Sequence, residues 1–169
     1  MKKKLSLWFL PVLLLFAMAV NSCKKEDKSN IPSLLTTGQW ELASLLVYHN
    51  IGDSQISVDT LNTNCDTSQM FKFFKDGSCT YTNFDCKPQP TANGTWKLSD
   101  TKITLVADIT CQDTITGSGT SKPFLNSQIV NLGEYSLVLQ TGDIQPYYAA
   151  NQPRVIFRYG FIRQKVVNR

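Results

Sequence analysis

Arg154-Val155-Ile156-Phe157-Arg158-Tyr159-Gly160-Phe161-Ile162-Arg163 carries the clearest alternation in the chain. Val155, Phe157, Tyr159 and Phe161 fall on one face, and Arg154, Ile156, Arg158 and Gly160 on the other. That period of two predicts a β-strand with an aromatic-rich inner face and a mixed outer one. Working back toward the N-terminus, similar runs recur between turn signals at intervals that suit a meander. Residues 128–132 and 135–141 pair through Gly133-Glu134, residues 94–98 and 102–108 through Ser99-Asp100, and residues 68–74 and 78–84 around Asp76-Gly77. Residues 39–48 supply the first strand, and Trp96, Leu98, Ile103 and Leu105 give the middle hairpin an apolar side. The polar stretches 49–67 and 109–126 read as long loops, and Lys87-Pro88-Gln89-Pro90 interrupts pairing because proline lacks a ladder donor. No segment carries a helical period, an internal repeat or a second-domain linker. The expected fold is all-β: a single eight-stranded, up-and-down antiparallel barrel, closed because closure removes exposed sheet edges.

On this reading Phe71, Phe73 and Tyr81 share the barrel's inner face with Phe157 and Tyr159. These five form a candidate wall for a small apolar or amphipathic ligand, since apolar pockets are built from aromatic walls with a few hydroxyls. An eight-stranded barrel can equally be filled by its own side chains, and the sequence leaves both interiors open. Trp40 and Trp96 are expected to serve core packing first.

Four cysteines follow Cys23: Cys65, Cys79, Cys86 and Cys111. An even number suggests two disulfides in an oxidising compartment, with three connectivities open. Reflecting Cys65 through the centre of the turn at residues 75–77 lands beside Cys86. The favoured pairing is therefore Cys65 with Cys86, leaving Cys79 for Cys111. No Cys-x-x-Cys pair or nearby histidine suggests zinc, so no metal and no cofactor are expected.

The N-terminus begins with basic Met1-Lys2-Lys3-Lys4, continues through an apolar run from Leu5 to Val20, and ends in Val20-Asn21-Ser22-Cys23. The run is too short for an ordinary membrane span, and the whole resembles a bacterial lipoprotein signal ending in a lipobox. The resemblance implies a cleaved signal over residues 1–22, lipid attachment at Cys23, a hydrated tether over 23–33 and a barrel domain over 34–169. Lys25-Glu26-Asp27 resembles the signal that sends lipoproteins of one Gram-negative phylum to the cell surface. The implied address is the outer membrane, with the lipid as the membrane contact. Asp59-Thr60-Leu61 and Asp113-Thr114-Ile115 resemble the O-glycosylation motif of the same phylum. Removing residues 1–22 removes three lysines, so seventeen basic residues become fourteen against thirteen acidic ones, and the formal charge falls from +4 to +1. Without a basic stripe, nucleic acid is excluded as a partner.

Gly38-Gln39-Trp40, opening the first strand, is similar to the Gly-x-Trp signature of lipocalins, whose tryptophan closes one barrel end beneath a late arginine. Antiparallel closure of the last strand on the first brings Arg163 to Trp40. Residues 73–78 (Phe-Phe-Lys-Asp-Gly-Ser) and 94–100 (Gly-Thr-Trp-Lys-Leu-Ser-Asp) also resemble the bacterial lipocalin-like lipoproteins. The resemblance spans about residues 33–165 and lacks the longer signatures of the animal transport lipocalins, so their ligands do not carry over. It implies a membrane-anchored binder of a small apolar or amphipathic ligand. The alternative is an accessory subunit with a filled barrel that docks an envelope protein complex.

Catalysis is not expected. The lone His49 sits near a strand end, where surface duty outweighs general-base duty. The chain has no nucleophile elbow, zinc-protease motif or phosphate-binding glycine loop. Carboxylates such as Asp53, Asp59, Asp66, Asp108 and Asp113 are scattered through loops.

Overall fold

The alternation along residues 154–163 becomes β9 (Pro153–Arg163), which runs antiparallel along the whole of β1 (Trp40–Ile51) through eleven registered pairs, from Trp40 opposite Arg163 to Ile51 opposite Pro153. The computed structural model describes residues 30–61, 63–113 and 119–164. The leader over 1–22, Cys23, most of the tether and Thr114-Ile115 lie outside the described residues. Between β1 and β9 come β2 (Ser54–Leu61), β3 (Met70–Phe73), β4 (Ser78–Thr82), β5 (Ala92–Leu98), β6 (Thr104–Ile109), β7 (Ser127–Leu132) and β8 (Ser136–Gly142). All pairings are antiparallel, and β1 meets both β3 and β9, closing a ring of β1 and β3 through β9.

The ring has the eight strands expected, but the sheet has nine. β2 occupies part of the stretch read as a loop and forms a hairpin with β1 outside the ring. Nearly every residue of β2 is exposed, so no buried face marks it as a strand. The hairpin turns at Gly52-Asp53, and Gly52 takes a φ of +55° with the Ala150 carbonyl so close that a Cβ would stand 2.2 Å from it. Asp59-Thr60-Leu61 therefore lies on this exposed strand rather than in a loop.

A short helix, α1 (Asn30–Thr36), replaces the end of the expected tether. It seals the barrel base. Leu35 is fully buried, its carbonyl accepts the Trp40 indole N–H at 2.9 Å, and the Leu34 carbonyl accepts an Arg163 Nη2 bond at 2.6 Å. The Arg163 guanidinium lies 4.5 Å from the centre of the Trp40 ring. The lipocalin-type Trp–Arg contact is thus formed at the base, where desolvation strengthens a cation over an aromatic face.

Inward-facing Leu105, Ala107 and Ile109 are fully buried, as are Leu137 and Leu139. Ile103 instead lies in the β5–β6 turn, 51% exposed. On β9, Arg154 and Ile156 point away from the interior, as the alternation requires, yet both are buried. For Arg154 the cause is the β8–β9 loop, which folds over it: the Tyr148 ring lies 3.6 Å from its guanidinium, and the Asp143 carbonyl accepts from Nε and Nη2.

Cys65 is bonded to Cys86 across the upper end of the β3–β4 hairpin, with Cα atoms 5.1 Å apart. The pairing expected between Cys79 and Cys111 is not formed, and both are buried free thiols. The sheet explains why. Cys79 on β4 is opposite Gly94 on β5, Gly94 is opposite Ile109 on β6, and Cys111 lies two residues further on. Two strand spacings of ~4.8 Å each exceed the Cα separation of up to ~6.8 Å that a disulfide spans. Burial first, with nearby carboxylates second, pushes each thiol up to about 12. At pH 8 the folded Cys23→Ser chain will therefore leave both thiols unreactive toward a thiol-titrating disulfide reagent. Denaturant without reductant will expose two thiols per chain. Reducing Cys65–Cys86, which closes a segment of 21 residues, is expected to lower unfolding free energy by about 3 kcal/mol, read from urea titrations.

Candidate functional site

Inside the ring, aromatic side chains from separate strands converge. Phe71 and Phe73 of β3, Tyr81 of β4 and Phe161 of β9 are all buried, and the Phe71 and Phe73 rings lie 4.1 Å apart. The central ring comes from a loop. Phe124, between β6 and β7, is fully buried, with ring centres 4.9 Å from Phe71, 5.3 Å from Tyr81, 4.9 Å from Tyr159 and 6.3 Å from Phe161. Its backbone is held in place: the Phe124 carbonyl accepts from Ala107 N–H at 2.9 Å and from Ser127 Oγ at 3.3 Å, and Cys111 and Ser121 exchange two backbone bonds at 2.9 Å. Lys122 Nζ reaches Asp108 Oδ1 at 2.6 Å, strapping the loop to β6. Such clustering adds geometric preference to area burial.

Above this filled interior, at the end opposite α1, lies a recess of about 210 Å³. Phe84, Phe157 and Tyr159 supply its rings, and Asp85, Asp113, Ser121 and Thr141 its polar groups, with Lys122, Pro123 and Gly142 completing the wall. Phe84 and Asp85 sit in a tight 3-10 turn (Phe84–Cys86), flanked and filled by left-handed backbone at Asn83, Asp85 and Cys86. Non-glycine residues hold such angles only when their surroundings over-determine them. Here the Cys65–Cys86 bond fixes one end, and Gln89 fixes the other. Gln89 Nε2 donates to the Phe84 carbonyl at 2.6 Å and to the Gln112 carbonyl at 3.2 Å, while its Oε1 accepts from Gln112 N–H at 2.9 Å. One glutamine thus ties together the two loops that carry Asp85 and Asp113.

Burial pushes the Tyr159 phenol upward, and the Asp85 and Asp113 charges push it further. Tyr81 beneath it is raised by burial, with Tyr159, Cys111 and Asp85 adding, and donates its hydroxyl to Gln69 Oε1 at 3.2 Å. Both phenols therefore stay neutral, offering hydrogen bonds rather than bases. His49 pairs with Asp59 at 3.0 Å on the exposed β1–β2 hairpin, far in character from a buried catalytic dyad. Two larger depressions of about 520 Å³ each lie at the opposite end, around the β3–β4 turn and β5, with lysines 72, 75, 97 and 102 among their walls. The smaller recess is the better candidate because three rings and several buried polar groups converge there.

The five expected ligand residues separate into two groups. Phe157 and Tyr159 line the recess, whereas Phe71, Phe73 and Tyr81 are packed below it and line no open wall of it. All five lie on strands, where alternation can single them out, but alternation had no means of foreseeing a sixth ring from a loop. Phe84, Asp85, Asp113 and Thr141 were not singled out as recess residues. For Phe84, Asp85 and Asp113 the only sequence signal is an aromatic or acidic residue inside a turn-rich segment, and Thr141 is a hydroxyl on the inward side of β8 near its end.

A family model for a lipocalin-like domain matches residues 36–139, from the end of α1 into β8. The chain belongs to the lipocalin-like domain family. The match takes in Trp40 and Phe124, and β9 completes the ring beyond it. The chain is also similar to the crystal structure of a lipocalin-like protein from Bacteroides uniformis ATCC 8492, at 14% identity and a TM-score of 0.41, covering 76% of this chain and 98% of that one. No curated protein matches it. In this lipocalin-like domain Phe124 is what separates a filled barrel from an open one. Phe124→Ala is expected to cost about 3–5 kcal/mol in urea unfolding and to open the interior to benzene, seen as a rise in melting temperature on adding benzene that the parent lacks. A variant as stable as the parent would show that Phe124 does not hold the core.

Proposed function

We propose that this domain binds one small apolar or amphipathic molecule in the recess above its filled interior, as a non-catalytic envelope protein held at the outer membrane by a lipid on Cys23. A lipocalin-like fold suggests a ligand-binding or accessory role in general. The observation that carries the finer reading is the recess itself: three rings and buried hydroxyl and carboxylate groups at the barrel mouth. Its volume of about 210 Å³ lies below the ~300–1,000 Å³ of pockets for drug-sized ligands. The cargo is therefore about one ring or a short chain, not a long fatty acid. The chain enters the barrel through α1 at the base, so a lipid on Cys23 would leave the mouth at the far end, accessible to solutes.

A second reading, an accessory subunit that docks an envelope protein, is favoured by the packed interior and by β2. Among the described residues β2 pairs only with β1, and Ile56 and Val58 are exposed on it. The readings part experimentally. Saturation-transfer NMR with benzyl alcohol on the mature chain should show binding, and Thr141→Phe, which fills the recess, should weaken it at least tenfold while the melting temperature moves only a few degrees. Absence of binding, together with loss of a co-purifying envelope protein in Ile56→Lys/Val58→Lys, would establish the docking reading instead.

A further inference from the structure

The two depressions of about 520 Å³ each at the base flank the β3–β4 turn, and α1 borders both, through Thr36 on one and Pro32 on the other. Lys72 and Lys75 line the first, and Lys75, Lys97 and Lys102 the second, against a single lining carboxylate, Asp100. Lys75 and Lys97 are exposed, and among the described residues neither forms an ion pair. Lys72 is half-buried, with Nζ 4.9 Å from the centre of the Phe74 ring. Asp76, in the turn between them, is folded back on its own chain, where it accepts from the Ser78 N–H at 2.9 Å and the Ser78 hydroxyl at 2.7 Å. The walls are also partly apolar. Trp96 and Leu98 line the second depression, and the Trp96 indole donates to the Phe74 carbonyl at 2.9 Å, which fixes its ring beside the turn. Lysines around a half-exposed indole suit a boundary between an apolar layer and anionic groups, where side chains with an apolar body and a polar tip are favoured.

The place of the depressions supplies the occupant. The chain reaches the barrel through α1, and Cys23 stands seven residues before Asn30. That is a reach of at most ~25 Å, at ~3.3–3.6 Å per residue. We propose that the base docks on the anionic headgroups of the membrane that carries the anchor, with Lys72, Lys75 and Lys97 reaching lipid phosphates. The proposal rests on the reading that Cys23 is lipidated. A lipid there holds the lysine-bearing end against the bilayer, and the seated barrel turns its mouth away from it. Each lysine at an anionic surface adds about fivefold to affinity. The attraction weakens with salt, because the screening length falls from ~8 Å at physiological ionic strength to ~3 Å at 1 M.

Co-sedimentation of the mature Cys23→Ser chain with vesicles tests the docking without help from a lipid anchor. At low salt, vesicles of phosphatidylglycerol and phosphatidylcholine in a one-to-three ratio are expected to bind it at least tenfold more strongly than phosphatidylcholine alone, and raised salt should remove the difference. Lys75→Gln/Lys97→Gln should weaken binding to the anionic vesicles at least tenfold at an unchanged melting temperature, whereas Lys87→Gln, at the mouth end, should not. Equal binding to both vesicles, or binding that survives the double substitution, overturns the proposal. Soluble glycerol phosphate should not compete; if it does, the lysines serve a free phosphate ester and the docking is overturned. Mass spectrometry of the full-length chain recovered from bacterial envelopes tests the anchor separately. A lipid on Cys23 without vesicle binding leaves the anchor reading in place and overturns the docking, and an unmodified Cys23 ends both.

Discussion

The pairing of β1 with β9 is the constraint on which the rest depends. Only when the last strand returns along the first does the sheet lose its ring edges, and only then does Arg163 arrive over Trp40. The pairing is continuous except for a bulge at Ala43, between Leu42 and Ser44. Near the bulge, Gly160 comes so close to Ser44 that a Cβ would stand 2.4 Å from its hydroxyl. A Cβ at position 160 would be met by turning the Ser44 hydroxyl aside, since the next nearest atoms stand 3.7 Å or more away. At the base, the Leu35 carbonyl of α1 accepts the Trp40 indole N–H and the Leu34 carbonyl accepts from Arg163 Nη2, while Arg163 Nε is buried without a hydrogen-bond partner among the described residues. Burying the bonded groups unpaired would cost on the order of 1–3 kcal/mol each.

Closure creates an interior that eight strands can either fill or leave open to one ligand. This chain fills it, and does so with a loop. The strands contribute Phe71, Phe73, Tyr81 and Phe161, but the space between them is taken by Phe124, whose backbone is clamped to Ala107 and Ser127. The consequence is a division of labour along the barrel axis. Below the mouth the interior is packed with buried side chains, and the open recess is left to the loops and strand ends at the mouth. There a strained turn, a disulfide and the side chain of Gln89 hold Phe84 and Asp85 against the loop carrying Asp113. If the recess binds a ligand as proposed, packing beneath and pinned loops above would present it with a largely preformed site, which saves the entropy of ordering it.

How much of this was legible follows from which residues obey a period. The strands of the ring did, because burying one face forces apolar residues to every second position, as from Val155 to Phe161. The Trp40–Arg163 contact was legible because antiparallel closure fixes which ends meet. β2 was missed because both its faces are wet, so burial wrote no alternation into Ser54–Leu61. The Gly52-Asp53 turn was the remaining signal. Phe124 was missed for the opposite reason: a lone aromatic in a polar loop has no neighbours in sequence to reveal its direction. The disulfide between Cys65 and Cys86 followed from hairpin geometry. The fate of Cys79 and Cys111 did not, because an even number of cysteines says nothing about an intervening strand.

The same logic explains why the mouth, and not the interior, can carry selectivity. An aromatic interior with its polar atoms already paired discriminates by volume alone, and one methylene more or less changes affinity only modestly. At the mouth, Asp113 is withdrawn from solvent while still near the Tyr159 ring and the Cys111 thiol, both of which respond to its charge. A carboxylate in that position acts through a lower dielectric than one on the outer surface, where Coulomb energies between unit charges fall to about 1 kcal/mol at 4 Å. On the proposed reading the rings at the mouth would set the shape of a ligand, and the packed barrel beneath would keep it from sinking past them.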